Sequence, residues 1–353
     1  MKVGFGLYRH MLDDAHFAFA RQCGATHIVV HMCDYFRGHD AASRVDQPVG
    51  DGSGWGIAES RIWSVEELVA LRGAMAKHGL VFFAIENFDP GQWCDILFDG
   101  PRRDAQMAQV QQLIRNVGAA GIGVFGYNFS LAGVAGRVTA NRARGGAPSV
   151  GLDGRNPVTE SPLPNSMAWN MVVDAAAQGV RETVPREALW ARLRWFLERI
   201  LPVAEAAGVV MAAHPDDPPL DMIRGQPRLV FQPQLYQTLL DTRPSPSNRL
   251  EFCLGTIAEM SDGDVYDTVR RHADQGSIAY MHLRNVRGRV PHYHETFIDE
   301  GDVDIARIVR ILRDAKFEGV LVPDHAPQMT CGAPWHAGMA FAMGYINALV
   351  RQP

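Results

Sequence analysis

A (β/α)8 barrel is the fold this sequence predicts, and three observations predict it. Eight short β-rich runs alternate with eight longer segments of helical spacing. Five of the runs follow a helix-stopping glycine directly: Gly24, Gly79, Gly208, Gly276 and Gly319 fit the left-handed position past a helix end. The glycine-rich phosphate turn that opens a doubly wound sheet is missing after the first run.

Taken in order, the runs are VGFGLY (3–8), THIVVHM (26–32), LVFFAIEN (80–87), GVFGYNF (123–129), VVMAAHP (209–215), LEFCLGT (250–256), IAYMHLRN (278–285) and GVLVPDH (319–325). Most are apolar nearly throughout, as strands covered on both faces of a parallel sheet require. Helices are expected at 13–23, 64–78, 104–119, 186–207, 233–241, 262–275, 302–315 and about 336–350. The whole chain, 1–353, then reads as a single barrel domain. Two connections are too long to be simple loops: 33–63 after the second strand and 130–185 after the fourth. Long excursions of this kind serve as lids or binding loops, and both follow strands, which places them on the face where barrel enzymes keep their chemistry.

Composition narrows the class. The 353 residues carry 34 basic and 39 acidic side chains, a net charge of −5, which argues against a nucleic-acid partner. No apolar run is long enough to span a bilayer, and the start, MKVGFGLYRHMLDD, does not read as a signal peptide. Five scattered cysteines read as reduced thiols, so a cytoplasmic enzyme is expected.

The polar residues at the strand ends carry the chemistry. The fifth run ends near His214, the sixth carries Cys253, the seventh His282, and the eighth ends in Asp324 and His325; earlier runs end in His31, Glu86 and the pair Tyr127–Asn128. A barrel gathers all these ends around one opening. Two imidazoles, a thiolate and a carboxylate from four neighbouring strands make a ligand set for a divalent cation. Asp216 and Asp217 in HPDDPP (214–219) read either as acceptors behind such a set or as caps of the turn. Arg284 and Asn285 follow His282, and Arg137, Arg142, Arg144 and Arg155 in the fourth connection offer positive charge for a carboxylate or phosphate. Trp63, Trp169, Trp190 and Trp195 read as packing residues.

MAAHPDDPP (211–219), EFCLGT (251–256), MHLRNV (281–286), ETF (295–297), GDVD (301–304) and VPDH (322–325) stand in the order seen in D-mannonate dehydratases, with GYNF (126–129) ahead of the long connection. The chain resembles that family over nearly its whole length. The resemblance implies a xylose isomerase-like barrel that removes water from D-mannonate to give 2-keto-3-deoxy-D-gluconate. It implies a divalent metal, Mn²⁺ first, with Fe²⁺, Zn²⁺ or Co²⁺ as alternatives, on His214, Cys253, His282 and Asp324. Where the family continues with a Trp-Thr-Arg-Thr element, this chain reads SLAGVAGRVTA and keeps only Arg137. Ala326 replaces the glycine after PDH, and APWHAG (333–338) replaces a Pro-Gly-Tyr, leaving Trp335 or His336 as stand-ins for its tyrosine.

Dehydrating a 2,3-dihydroxy acid needs a base at C2 and an acid at the C3 oxygen. His325 is the first candidate for acid/base work, followed by Tyr127 and His336. Arg137 or Arg284 is expected to hold the substrate carboxylate, with Asn128, His31 and Asp216 as further substrate contacts. The expected partner is a small sugar acid, and the enzyme is expected to be a homo-oligomer. The alternative reading is a metal-dependent sugar isomerase or epimerase of the same barrel class; a metal-dependent hydrolase and a non-catalytic sugar-acid-binding protein are more distant rivals.

Overall fold

The computed structural model describes residues 1–40, 45–46 and 55–352. Much of the 33–63 connection therefore lies outside the described residues. Eight parallel strands close into a barrel: β1 (Lys2–Tyr8), β2 (His27–His31), β3 (Val81–Glu86), β4 (Val124–Tyr127), β5 (Val210–Ala213), β6 (Asn248–Cys253), β7 (Ile278–Leu283) and β8 (Val320–Pro323). Each pairs with its sequence neighbours, and β1 pairs with β8 to shut the ring. Eight helices cover the outside: α1 (Asp14–Gln22), α2 (Val65–Lys77), α3 (Arg103–Ala119), α4 (Arg186–Ala207), α5 (Gln234–Thr242), α6 (Val265–Asp274), α7 (Ile305–Asp314) and α8 (Pro334–Arg351). This is the (β/α)8 barrel that the alternating pattern predicted.

Local chemistry sets the helix ends. The side chains of Asp13, Ser64, Asp264 and Asp304 each accept a backbone N–H of the first turn of α1, α2, α6 and α7. Gly208 ends α4 at φ 67°, and Gly24, Gly79 and Gly276 are likewise left-handed. Gly319 is not. After α7 the left-handed residue is Lys316, at φ 55°, so Gly319 serves as the entry to β8. On α7, Ile305, Ile308, Val309 and Leu312 recur at helical spacing and are buried, each worth roughly 1.5–3 kcal/mol of apolar transfer.

The pleat decides what faces the lumen. Val29, Ala84, Val124, Ala212, Tyr280, Val320 and Val322 pack together inside the barrel, while their alternates, such as Phe125, Met211, Phe252 and Leu321, join the core under the helices. Continuing the inward alternation past these positions reaches His31, Glu86, Gly126, His214, Cys253, His282 and Asp324.

The 130–185 connection has structure of its own. Strands Val138–Ala143 and Ala147–Asp153 form a hairpin, and a second hairpin, Asn285–Arg289 with His292–Thr296, joins it in one four-stranded sheet. Further along, the Trp55 N–H donates to the Asn170 carbonyl and Ile57 pairs with Val172, so the two long connections are bonded to each other.

Candidate active site

His214, just past β5, Cys253 at the end of β6 and His282 in β7 bring one ligand atom each within 4.8 Å of one another. Asp324, just past β8, completes the group: Oδ2 lies 3.8 Å from Cys253 Sγ and Oδ1 lies 3.7 Å from His282 Nδ1. That Nδ1 is buried and has no hydrogen-bond partner. His214 Nδ1 is 2.6 Å from the Pro215 carbonyl, which fixes a ring that is also hydrogen-bonded to Cys253. The Thr256 hydroxyl donates to the sulfur at 3.1 Å. Burial pushes the Cys253 thiol up, but the Arg284 guanidinium and the His214 and His282 rings outweigh it and bring the group down to about 5. At neutral pH the sulfur is a thiolate. Two imidazoles, a thiolate and a carboxylate fit a divalent cation, and their two negative charges match its charge.

Arg284 stands behind this group, 1 % exposed. It donates to Asp324 at 2.9 Å, Asp217 at 2.7 Å and Thr256 at 3.0 Å, and it also binds Glu259. With its donors engaged and its surface covered, Arg284 orients the acids and does not line the cavity, where the sequence expectation had it among the candidates for the substrate carboxylate. Asp216 is corrected too. It is bonded to Arg228 at 3.0 Å and to the N–H groups of Leu229 and Val230, so it fixes a loop, while its neighbour Asp217 reaches the cavity.

Arg137 does line the cavity. Its Nη1 lies 3.8 Å from both Asp217 and Glu295, and its Nε has no hydrogen-bond partner. Asn128, His31, Asp217, Asp324 and His325 share the same wall. Glu295, carried in by the second hairpin, holds His325 Nδ1 at 2.8 Å, and His325 Nε2 lies 3.4 Å from Asp324. Burial lowers the His325 basicity, but Asp324 and Glu295 more than reverse it, so the ring favours its charged form. His31 goes the other way. Its burial outweighs Glu86, 3.5 Å from Nε2, and holds the imidazole neutral.

Two further candidates lie elsewhere. Tyr127 points outward, because Gly126 takes the lumen position of β4; its ring packs on Phe196 of α4 and its buried hydroxyl has no partner. His336 sits in the first turn of α8 against Phe19 and His16 of α1 and does not line the cavity. Trp335 packs edge-on against Phe5 and is buried. Trp335 nonetheless lines a smaller pocket with His31, Glu86, His282 and Asp324, so His336 alone of the two stands apart from the site. Tyr8 and Tyr35 bring phenols to the cavity instead, and with Trp55 and Trp169 they form an aromatic wall. Trp169, read from the sequence as packing, is a cavity residue whose Nε1 donates to Asn128.

An eight-stranded parallel barrel with such a constellation at the C-terminal ends of its last four strands defines an enzyme of the xylose isomerase-like class. Relatives agree. The D-mannonate dehydratase (UxuA) family profile matches residues 1–147 and 170–348. A mannonate dehydratase of Streptococcus suis (strain 05ZYH33) is 32% identical over 280 residues, 76% of each chain, and one of Geobacillus thermodenitrificans is 27% identical over 296 residues, 78% of each. The crystal structure of mannonate dehydratase from Streptococcus suis serotype 2 superposes with a TM-score of 0.73 at 26% identity, covering 99% of this chain and 94% of that one. A D-psicose 3-epimerase from Clostridium cellulolyticum H10, 11% identical with a TM-score of 0.56 over the full length of both chains, shares the fold alone. The chain belongs to the D-mannonate dehydratase family, a metal-dependent family of hydro-lyases.

Proposed function

We propose that this chain dehydrates D-mannonate to 2-keto-3-deoxy-D-gluconate with Mn²⁺ held by His214, Cys253, His282 and Asp324. The observation that carries the reading is that His214 and Asp324, clustered with the buried Cys253 and His282, line one cavity with Arg137, His31 and His325. Fe²⁺, Zn²⁺ and Co²⁺ are the competing ions, since a thiolate favours softer metals than manganese. When bound, the cation supplies Lewis acidity toward the carboxylate and an adjacent hydroxyl of the substrate.

The chain's own groups divide the rest of the work. Arg137, loosely held at 3.8 Å by its two acids, pairs with the substrate carboxylate. Neutral His31 accepts the C2 proton. His325, gripped by Glu295, donates its proton to the C3 hydroxyl as the C–O bond breaks, so water departs and the C2–C3 enol tautomerises to the 2-keto acid. Two imidazoles pushed toward opposite charge states, on one cavity, suit one base and one acid. Tyr35, Trp55 and Trp169 cover the tail of the substrate.

The test is a panel of hexonic and pentonic acids incubated with Mn²⁺ and assayed for 2-keto acid. D-mannonate is expected to give product, and chelation to abolish it. Exchange of a substrate C–H with deuterated solvent without loss of water would move the chain to the isomerases and epimerases. In His31→Asn, C2 exchange and dehydration should both disappear.

A further inference from the structure

Asn128 enters the cavity wall one residue past β4, and both ends of its amide are engaged by the protein itself. β4 and β5 pair in parallel with Tyr127 against Ala213, so the next residues, Asn128 and His214, stand side by side. The indole Nε1–H of Trp169 donates to Asn128 Oδ1 at 3.2 Å. That bond decides which way the amide faces, because only its oxygen can meet an indole proton. Asn128 Nδ2 then donates to the Pro215 carbonyl at 3.0 Å and leans toward the His214 carbonyl at 3.4 Å. The same Pro215 carbonyl accepts from His214 Nδ1 at 2.6 Å. On the other side of that peptide the Asp216 N–H donates to the Val230 carbonyl at 2.9 Å. The Pro215–Asp216 peptide is thus held at its N–H by Val230 and at its oxygen by Asn128, and the His214 ring turns on a fixed acceptor.

Trp169 is held just as firmly at the far end. Its backbone sits at φ 54°, a left-handed conformation that bulky residues seldom adopt. Its N–H donates to the Leu131 carbonyl at 2.8 Å, and the buried amide of Asn170 bonds both the N–H and the carbonyl of Val134. Gly133 lies against the indole, where a methyl group would strike the ring. The ring stacks on Tyr35 and meets Trp55 edge-on in the aromatic wall of the cavity. Three hydrogen bonds in series therefore run from that wall to a member of the His214–Cys253–His282 cluster.

We propose that Asn128 is a positioning residue, joining the wall that covers the substrate to the histidine that holds the ion. Trp169 sets the face of the amide, the amide sets the Pro215 carbonyl, and the carbonyl sets the angle of the His214 ring. Partners behind a ligating imidazole govern metal affinity nearly as strongly as the ligands do. The role rests on His214 as a metal ligand, so the experiment reads the ring both with and without the ion.

Mn²⁺ affinity is measured by competition with a chelator in the parent, Asn128→Ala, Trp169→Phe and the double variant, each matching the parent by circular dichroism. Trp169→Phe keeps an aromatic ring in the wall and removes the N–H. Asn128→Ala is expected to bind Mn²⁺ about 10–100-fold more weakly. Trp169→Phe should lose several-fold, and the double variant no more than Asn128→Ala alone, since the two act through one chain of bonds. Without metal, isotopic labelling of the histidine nitrogens follows the His214 Nδ1 proton, assigned by its loss in His214→Gln. Its exchange with solvent is expected to quicken several-fold in both single variants. Parental Mn²⁺ affinity in either single variant, losses that add in full in the double variant, or an unresponsive Nδ1 proton would overturn the proposal. A parent that binds no Mn²⁺ while its Nδ1 proton responds as expected would instead overturn the metal reading and leave Asn128 as the group that sets the His214 ring.

Discussion

Cys253 is drawn toward its anionic form by Arg284 and two imidazoles, so replacing it alters both the charge and the softness of the cluster. Cys253→Ala is expected to weaken Mn²⁺ affinity by about 100-fold or more, read by competition with a chelator. His325→Gln keeps the cluster but removes the proton donor. Its kcat should fall by about 10²–10⁴-fold with metal content unchanged, and full activity in that variant would take His325 out of the mechanism. At this scale the sequence was legible where strand ends follow the pleat. His214, Cys253, His282 and Asp324 were readable as one group because each sits on the lumen side of its strand end. The same alternation, applied strictly, would have exchanged Tyr127 for Gly126. Arg284 was readable as near the site but not as saturated, because its partners Asp217, Glu259 and Asp324 come from other segments.

Among the elements, α6 carries a pH-sensitive packing contact. His272 is 1 % exposed, wedged against Tyr236 and Phe252, and its burial, reinforced by the neighbouring Arg271, lowers it from 6.5 to about 4. The folded state thus favours the neutral ring. The contribution is complete above pH 6.5 and is lost as pH falls from there to about 4, because the unfolded chain takes up the proton first; the span corresponds to about 3 kcal/mol. His272→Gln should flatten the denaturant midpoint over this range relative to the parent, and identical pH slopes would refute the assignment. Apart from Tyr8 on β1, the aromatic wall belongs to the two long connections, which the sequence marked as active-site loops from their length and position. Trp169→Ala is expected to raise KM for the acid several-fold more than it lowers kcat, since Trp169 touches the cavity away from the proposed acid and base. What the sequence could not disclose was the four-stranded sheet: its strands at 138–153 and 285–296 are short, polar and paired across more than a hundred residues.

For the molecule as a whole, the proposed cation, held from four strands, would tie β5, β6, β7 and β8 together and stabilise only the folded ring. At a thousandfold excess over its Kd the ion adds about 4 kcal/mol, so stripping it should lower the melting temperature by roughly 5 °C. Mn²⁺ should restore the melt, and an unchanged transition after chelation would count against metal at the mouth. The eight-fold alternation was the most legible feature of all, because every strand buried on both faces must be apolar and every covering helix must show a stripe.

Ring closure by β1 and β8 has a consequence for biosynthesis. Lys2 and Val3 find their partners in Val320 and Leu321. The first strand therefore leaves the ribosome about 300 residues before the strand that seals it, a wait of roughly 15–60 s at ordinary elongation rates. Until β8 emerges β1 can pair on one side only, with β2, and a nascent sheet of seven staves offers two raw edges to solvent or to a chaperone.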